Sequence, residues 1–277
     1  MKTKNNWITS NLKDRLVNPG SPFSVRLDPY AFKTMDFKSA VDMTVKEVSN
    51  TYLNLHLALS GGYDSEFILR AFHRLKINII PVIVCYGNEN ENVYAYKVCD
   101  ELGISPVKIN VLDEEYLNCF TERVYKKFNG AGIFATQVLI AADYVQQNNG
   151  TLITGNHLIG DDDEVISNEN FASSNEWDFY IDHTHPSITN IDLFLYTPEL
   201  AYSMLPNSEI DGITWQEYKH NMYGIEYRKK IRPKYPREMI SKLKELDTSR
   251  SVPNSKYTHQ WSREELNDIL KGKNLNV

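Results

Sequence analysis

Hydrophobic and polar residues alternate in two distinct rhythms along residues 37–155 of the chain. Apolar residues at three- and four-residue intervals indicate helices, whereas short β-branched runs indicate buried strands. The pattern predicts helices at 37–49, 66–75, 92–103, 114–128 and 133–147, and strands at 53–60, 77–86, 106–111 and 151–155. Because strands that alternate with helices form right-handed βαβ crossovers, the sequence predicts a parallel sheet.

The pattern changes after Glu164, where a polar and aromatic stretch without a clear period begins. Helical spacing returns at 193–205 and 237–246. The sequence therefore predicts three regions: an N-terminal lead-in and helix (1–50), an α/β domain (51–165) and a mostly helical region (166–277) that packs against the sheet.

The composition is that of a globular protein and excludes several other classes. Hydrophobic residues make up 42% and charged residues 24% of the 277 positions, which argues against a disordered or fibrous chain. The longest nearly apolar stretch, 77–85, is too short to span a bilayer, and the N-terminus has no apolar signal-peptide core. A formal net charge of -6 disfavours a broad nucleic-acid surface, and three cysteines without a CxxC pair disfavour a zinc ribbon. We expect a cytoplasmic protein without a membrane segment.

The strongest chemical signal is the SGGYDS loop at residues 60–65, which connects a predicted strand directly to a predicted helix. Consecutive glycines let the backbone approach an anion closely, and N–H groups at the start of the helix donate to it. Ser60 and Ser65 add hydroxyl donors. Asp64 alone would repel phosphate, so its presence suggests a Mg²⁺ ion that bridges its carboxylate to phosphate oxygens. The lysine of a Walker A loop is missing, which argues against a P-loop kinase or ATPase.

SGGYDS resembles the PP-loop of the ATP pyrophosphatases, enzymes that split ATP into AMP and pyrophosphate. Over about residues 38–240, further segments resemble the asparagine synthetase family, whose usual loop reads SGGLDS. Its acidic helix start is similar to ENVYA at 91–95. Its SGEGADE motif is similar in part to TG at 154–155 and GDDDE at 160–164, with NHLI inserted between them. YTPEL at 196–200 and YRKK at 227–230 resemble later segments of that family.

The resemblance implies a parallel-sheet PP-loop (adenine nucleotide alpha hydrolase-like) α/β domain whose cofactors are ATP and Mg²⁺. Carried over residue by residue, the resemblance implies nucleotide contacts from Ser60, Gly61, Gly62, Asp64, Ser65 and Gly155, and main-chain contacts to adenine from Val84, Cys85 and Tyr86. It also implies that Asp64 and Asp163 are metal ligands. Catalytic roles fall to Glu164, Lys229 and Lys230. Glu164 would meet the metal or the amino-acid substrate, and Lys229 or Lys230 would steady the charged intermediate.

The activity that the resemblance implies is that of an amide ligase. ATP converts a small carboxylate to an acyl-adenylate with release of pyrophosphate, and an amine then displaces AMP. Only 59 residues precede the loop, and Lys2 stands where a glutamine-dependent enzyme of that family has its cysteine nucleophile. We therefore expect a synthetase without an amidotransferase domain, which uses ammonia, another amine or a separate glutaminase partner. A homo-oligomer is left open.

Other branches with the same loop also remain open. They are modification of tRNA or nucleotides, an NAD synthetase-like reaction, and nucleotide binding without turnover. No cysteine follows Cys119, which counts against a sulfur-transferring enzyme.

Several further residues have a structural as well as a functional interpretation. His157 follows a predicted strand and is either a site residue or an ordinary loop residue. For His183 and His185 we favour a polar loop over a metal site, and for Cys85 a core position over a nucleophile. The basic run at 228–234 is a solvated surface, a phosphate contact or an RNA patch, and the resemblance favours the phosphate contact.

Overall fold

The computed structural model describes residues 7–18, 21–28, 33–86, 92–126, 135–160, 164–169, 171–206, 212–228, 241 and 258–271. Its strands are β1 (Ile8–Ser10), β2 (Val25–Leu27), β3 (Leu55–Ala58), β4 (Ile80–Cys85), β5 (Val107–Asn110), β6 (Thr151–Thr154), β7 (Ala172–Asn175), β8 (Thr189–Asp192) and β9 (Thr258–Trp261). Its helices are α1 (Leu12–Val17), α2 (Phe37–Thr51), α3 (Tyr63–Arg74), α4 (Val93–Leu102), α5 (Asp113–Cys119), α6 (Ala135–Gln147), α7 (Tyr180–Thr184), α8 (Pro198–Ser203), α9 (Trp215–Tyr223) and α10 (Arg263–Lys271). Among the residues so described, none of the helices is both long and apolar enough to cross a bilayer.

A five-stranded parallel sheet in the order β5-β4-β3-β6-β8 forms the centre of the molecule. The chain runs outward from β3 through β4 to β5, and then returns past β3 to add β6 and β8 on the other side. In a sheet of this order the connections that leave β3 and β6 diverge, which opens a crevice at the carboxyl ends of these two strands. The predicted fold class, an α/β domain built on a parallel sheet, is confirmed.

Both faces of the sheet are covered, as a parallel sheet requires. Side chains of β4 alternate between two apolar clusters, because successive residues of a strand point to opposite faces. Val82 and Val84 belong to the cluster that includes α6, whereas Ile83 and Cys85 belong to the cluster that includes α2 and α3. Cys85 is thus a core residue, and its Sγ lies 2.9 Å from the hydroxyl of Tyr96.

The helix-rich part of the chain after residue 165 contains α7 to α10, and it also adds β8 to the central sheet. The sequence does not predict β8, because Thr189–Asp192 is short and mostly polar and becomes a strand through its pairing with β6. Strands β7 and β9 form a separate antiparallel pair. The proposed division of the chain at residue 165 stays a prediction.

The N-terminal lead-in is fastened to this later part of the chain. Strands β1 and β2 pair in antiparallel register, and the indole N–H of Trp7 donates to the carbonyl oxygen of Leu195 over 3.1 Å. The guanidinium of Arg15, buried like its partner, lies 2.6 Å from the carboxylate of Glu176. An ion pair of this kind adds little net stability, because both charges lose their hydration.

We predict an acid-sensitive contribution to stability from Asp143 on α6, which lies 2.9 Å from the Nε2 atom of the buried His185 and also pairs with Arg123. Burial by itself raises the pKa of Asp143, but His185 and Arg123 together outweigh it and lower the pKa to about 2. Because this pKa lies below the value of about 3.9 in the unfolded chain, the stabilisation is complete above pH ~4 and is lost as the pH falls towards 2.

The substitution Asp143→Asn is therefore expected to lower the free energy of unfolding at pH 7 by about 1 kcal/mol, a modest value because solvent screens this half-exposed carboxylate. Urea denaturation at a series of pH values measures it. The difference in the free energy of unfolding between the parent chain and Asp143→Asn should become smaller as the pH falls from ~4 to ~2. A difference that is the same at pH 7 and pH 2 would contradict the assignment.

Candidate functional site

The SGGYDS loop connects the carboxyl end of β3 to the first turn of α3, beside the crevice between β3 and β6. Gly61 has φ 82°, a left-handed conformation that favours glycine, and the extended Gly62 caps the helix. The chain therefore turns sharply enough to aim the first N–H groups of α3 into the crevice. Helix N-termini of this kind bind anions through these N–H groups and the helix dipole.

The two serine hydroxyls of the loop lie next to each other. Their Oγ atoms are 3.2 Å apart, and the Ser65 hydroxyl donates to the carbonyl oxygen of Gly62 over 3.2 Å. The main-chain N–H of Gly62 donates to Ser60 Oγ over 3.3 Å. The loop thus holds itself in a turned conformation through its own polar groups.

Gly155, which follows β6, lies directly against the first turn of α3. A Cβ atom at this position would come within 3.1 Å of the Cβ of Asp64 and 3.5 Å of Ile68 Cδ1. The structure therefore places Gly155 next to the loop. Their contact with a nucleotide stays a prediction.

Asp64 is the centre of a polar cluster that joins the loop to α9. Its Oδ2 atom accepts a hydrogen bond from the ammonium group of Lys219 over 3.0 Å, and its Oδ1 atom accepts one from the hydroxyl of Tyr223 over 2.7 Å. His157 Nε2 lies 3.6 Å from Oδ1 and 3.3 Å from the Lys219 ammonium. The Nδ1 atom of His157 faces the carbonyl oxygen of Ile159 at 3.1 Å. The structure thus includes His157 in the site.

The electrostatics of this cluster favour an ionised carboxylate. Burial is the largest single effect on Asp64 and raises its pKa, but the opposing effects, led by the charge of Lys219, hold the pKa well below its usual value. The Lys219 side chain is only 2% exposed and that of Asp64 is 25% exposed. A buried ammonium and a partly buried carboxylate therefore face each other as a close ion pair.

Helix α9 positions Lys219 and Tyr223 through its own regular spacing. Trp215, Lys219 and Tyr223 follow one another at intervals of four residues, so they occupy one face of the helix, and all three are buried. A capping box between Thr214 and Glu217 begins the helix, and Gly224 ends it with φ 64°. Both ends of the helix are thus fixed, and its buried face is directed at Asp64.

Glu164 lies near the other end of α9. Its carbonyl oxygen accepts a hydrogen bond from the Trp215 N–H over 3.0 Å, and the Glu164 side chain is exposed. A Cβ atom on Gly160 would come within 2.4 Å of Trp215 Nε1, so this glycine permits the close approach of the loop after β6 to α9. The catalytic role of Glu164 stays a prediction, and Asp163 lies outside the described residues.

Arg228, which follows α9 in the chain, contacts the loop. Its guanidinium donates to the Gly61 carbonyl oxygen over 2.8 Å, pairs with the buried carboxylate of Glu66, and lies 4.1 Å from the ring centre of Tyr94. The main-chain N–H of Arg228 donates to the Tyr63 hydroxyl over 2.7 Å. Four different groups therefore hold one arginine over the loop. The predicted catalytic residues Lys229 and Lys230 come next in the chain and lie outside the described residues.

The predicted adenine contacts lie at the end of β4, next to β3 in the sheet. Val84, Cys85 and Tyr86 are buried, and the Tyr86 ring stacks on Tyr116 with 3.9 Å between the ring centres. The carbonyl oxygen of Val84 accepts from the Asn92 side chain over 3.2 Å, and that of Cys85 accepts from the Val111 N–H over 2.8 Å. Contact between these residues and adenine stays a prediction.

A cleft of about 620 Å³ lies between α3, α4 and residues 224–228, adjacent to Arg228. Its size is within the range of small-molecule sites. Arg70 and Arg74 line it, and they pair with Glu66, Glu101 and Asp42. The positive charges of Arg70 and Arg74 are thus paired with carboxylates of the protein itself.

The contacts of Asp64 do not fit the predicted role of metal ligand. A Mg²⁺ ion would lie about 2.1 Å from a carboxylate oxygen, and therefore close to the ammonium group that already occupies Oδ2. Two unit charges about 4 Å apart repel by about 4 kcal/mol at an effective dielectric constant of 20, and a doubly charged ion faces about twice that. Within the described part of the chain, no group of three or more His, Cys, Asp or Glu side chains could hold a metal.

The sequence pattern does not identify Lys219 and Tyr223 as site residues. The one local signal was their spacing of four residues in a segment that otherwise reads as polar. Lys219 lies 155 residues from Asp64 along the chain, so only the packing of α9 against α3 reveals the pair.

No protein-family model matches this sequence, and no curated protein matches it. Among solved structures, similarity is found to an NH3-dependent NAD synthetase from Campylobacter jejuni, with 18% identity over 44% of this chain and 58% of that chain and a TM-score of 0.35. A predicted subunit of tRNA methyltransferase from Methanocaldococcus jannaschii is 17% identical over 76% of this chain and 98% of that chain, with a TM-score of 0.39. The NMN synthetase of Francisella tularensis is 14% identical over 79% of this chain and 98% of that chain, with a TM-score of 0.37. The chain thus spans less than two thirds of the length of the first of these proteins.

We predict that Lys219→Met lowers the free energy of unfolding by about 3 kcal/mol, because it leaves the Asp64 carboxylate without its cation. The double substitution Asp64→Asn with Lys219→Met removes both charges and should recover most of that loss. Urea denaturation of the two single variants and the double variant measures the coupling.

Lys46→Met, at an exposed lysine within α2, is the matched control and should change stability by no more than about 0.5 kcal/mol. If the effects of the two single substitutions simply added, the ion pair would contribute nothing and the prediction would be wrong.

We also predict that Arg228→Lys loosens the loop although it keeps the charge. A lysine cannot reproduce the planar guanidinium that contacts the Gly61 carbonyl, the Glu66 carboxylate and the Tyr94 ring together. Amide hydrogen exchange at residues 61–64 should become about ten times faster, a change of about 1.4 kcal/mol in local opening. Arg70→Lys, which alters the other arginine on Glu66, is the control and should leave exchange in the loop within about twofold of the parent value.

Proposed function

We propose that this protein is an ATP-dependent ligase that cleaves ATP to AMP and pyrophosphate and uses the energy to activate a carboxylate. The observation that carries the proposal is the SGGYDS loop at the start of α3, in the crevice where the strand order reverses between β3 and β6. Open α/β sheets bind their ligands in this position, outside the carboxyl ends of the strands. The resemblance of the loop to the PP-loop of the ATP pyrophosphatases supports the choice of ATP.

The N–H groups of the loop and of the first turn of α3 would bind the β- and γ-phosphates, which become the leaving pyrophosphate. A carboxylate oxygen of the acceptor attacks the α-phosphorus, and the bond from that phosphorus to the bridging oxygen of the β-phosphate breaks. Negative charge then builds on pyrophosphate. Fixed donors that already point at the leaving group stabilise this charge without reorganisation. ATP would enter as its magnesium complex.

The product of this step is an acyl-adenylate. An amine nitrogen then attacks the acyl carbon, gives up a proton, and displaces AMP. The protein contributes mainly by holding the reactants in line and excluding water, which supplies much of the acceleration in reactions between bound groups. We place the acceptor beside His157 and Glu164, because the chain leaves β6 at the same edge of the sheet before it reaches these two residues.

The acceptor and the nitrogen donor define the branch within this class. The asparagine synthetase resemblance points to an amino-acid carboxylate such as aspartate. An NAD synthetase-like reaction is the alternative that the loop itself leaves open, and NAD and NMN synthetases also occur among the structural matches. Ammonia, another amine and a separate glutaminase are the proposed nitrogen sources, in a cytoplasmic protein that acts alone or as a homo-oligomer.

Release of pyrophosphate from ATP tests the proposal directly. The assay combines ATP and Mg²⁺ with aspartate, other small carboxylates and nicotinate nucleotides in turn, each with ammonium or with glutamine. Pyrophosphate and AMP should form in equal amounts with one acceptor class and with ammonium. If no acceptor supports pyrophosphate release and the protein does not bind ATP, the proposal is wrong.

Gly61→Ala gives a sharper test, because it disturbs the turn that aims the N–H groups. We expect turnover to fall by about 100-fold, the size of effect seen when a fixed donor to a reacting oxyanion is lost. Gly103→Ala is the matched control: Gly103 has φ 65° at the end of α4, with no atom near enough to meet a new Cβ. Both substitutions should cost about 1–2 kcal/mol of stability, but only Gly61→Ala should reduce turnover.

A further inference from the structure

Each carboxylate oxygen of Asp64 accepts a hydrogen bond from a residue of α9. Lys219 holds Oδ2 at 3.0 Å and Tyr223 holds Oδ1 at 2.7 Å. These donors come from one face of one helix, four residues apart, so a single rigid element presents both. Helix α9 therefore contacts both oxygens of the Asp64 carboxylate.

The Lys219 ammonium cannot easily turn away from this position. Its side chain is 2% exposed, and its helix is anchored by Trp215, which is fully buried. Tyr223 stacks on Phe67 of α3 with 4.4 Å between ring centres and an interplanar angle of 18°. A charge held inside the protein needs an opposite charge beside it, and Asp64 supplies it.

A divalent cation on Asp64 would compete with the Lys219 ammonium for the same carboxylate. The buried ammonium would then lie close to a doubly positive ion, and the two charges repel each other. The cation beside Asp64 is thus the Lys219 ammonium. Asp64 is the same residue of the SGGYDS loop for which the sequence suggests a bridging metal.

We infer that Asp64 is the counter-ion of Lys219 and not a ligand of a divalent metal, so that this carboxylate does not bridge a metal to the phosphates bound at the loop. The inference deepens the proposed function and rests on it only in taking the loop as a phosphate site. Lys219 acts through Asp64 as a positioning residue, since it holds the carboxylate against α9. The ligand of the loop is a polyphosphate, and main-chain N–H groups donate hydrogen bonds to its negatively charged oxygens.

The experiment uses calorimetry to measure the binding of α,β-methylene-ATP, which cannot be cleaved between its α- and β-phosphates. Binding is compared in EDTA and in excess MgCl₂. The proteins are the parent chain, Asp64→Asn, the double substitution Asp64→Asn with Lys219→Met, and Lys46→Met as a control. If Asp64 does not ligate the metal, the effect of Asp64→Asn on the dissociation constant is the same with and without Mg²⁺, within about twofold. If Asp64 ligates the metal, the substitution weakens binding by about tenfold or more only when Mg²⁺ is present, and the inference is overturned.

The double variant guards against misfolding, because it leaves no unbalanced charge behind. It should show the same independence from Mg²⁺ as the single variant, and a loss confined to Mg²⁺ would again overturn the inference. Mn²⁺ binding to the nucleotide-free proteins, followed by electron paramagnetic resonance, provides a second reading. Lys219→Met frees the carboxylate and should bind Mn²⁺ at least about threefold more tightly than the parent, a gain that Asp64→Asn on the same background removes.

The two hypotheses fail in different ways. If the ATP analogue binds to the parent chain in neither buffer, the proposed function is wrong, and the Mn²⁺ measurement still decides the role of Asp64. If the analogue binds only with Mg²⁺ and through Asp64, the proposed function stands and the counter-ion role is rejected. Equal Mn²⁺ affinity of the parent and Lys219→Met would also reject it.

Discussion

The ion pair between Asp64 and Lys219 is the interaction on which the candidate site depends. It joins the first turn of α3 to a helix that lies 155 residues further along the chain. An ammonium group buried in this way is tolerated only beside a carboxylate, so the position of α9 and the conformation of the loop determine each other. The Tyr223 hydroxyl adds a second bond to the same carboxylate. The loop is therefore preorganised by a part of the protein that does not belong to the strand–loop–helix unit itself.

Aromatic packing explains why α9 can deliver these groups accurately. The Tyr223 ring stacks on Phe67 of α3 and on Phe194 after β8, and Phe37 of α2 lies against the same group. Flat rings that stack in this way bury a large apolar area and leave little rotational freedom. The polar end of Tyr223 then projects towards Asp64 from a rigid base. A second fastening, by Arg228 across Gly61 and Glu66, holds the other side of the loop.

The parallel sheet sets the location of all these parts. Because β3 and β6 are neighbours with the same direction, the loop after β3 and the segment after β6 emerge at one edge and meet there. Gly155 allows that meeting, since a side chain would press against Asp64. His157 follows two residues later and joins the cluster around the ion pair. An enzyme that must hold a nucleotide and an acceptor together can use such an edge, with one ligand on each of the two diverging connections.

The sequence alone determined the loop and the parallel sheet, because glycine conformational freedom, helix N-termini and strand periodicity are local properties that few residues encode. It also indicated a core position for Cys85, which is buried in the structure. Only the tertiary structure decided the partner of Asp64, the position of His157 beside it, and the entry of β8 into the sheet. The resemblance implies catalytic roles for Lys229 and Lys230, whereas the lysine that donates to Asp64 in the described structure is Lys219. A pairing between distant residues depends on how helices pack, and in a segment as polar as α9 a four-residue spacing does not reveal which partner the helix contacts.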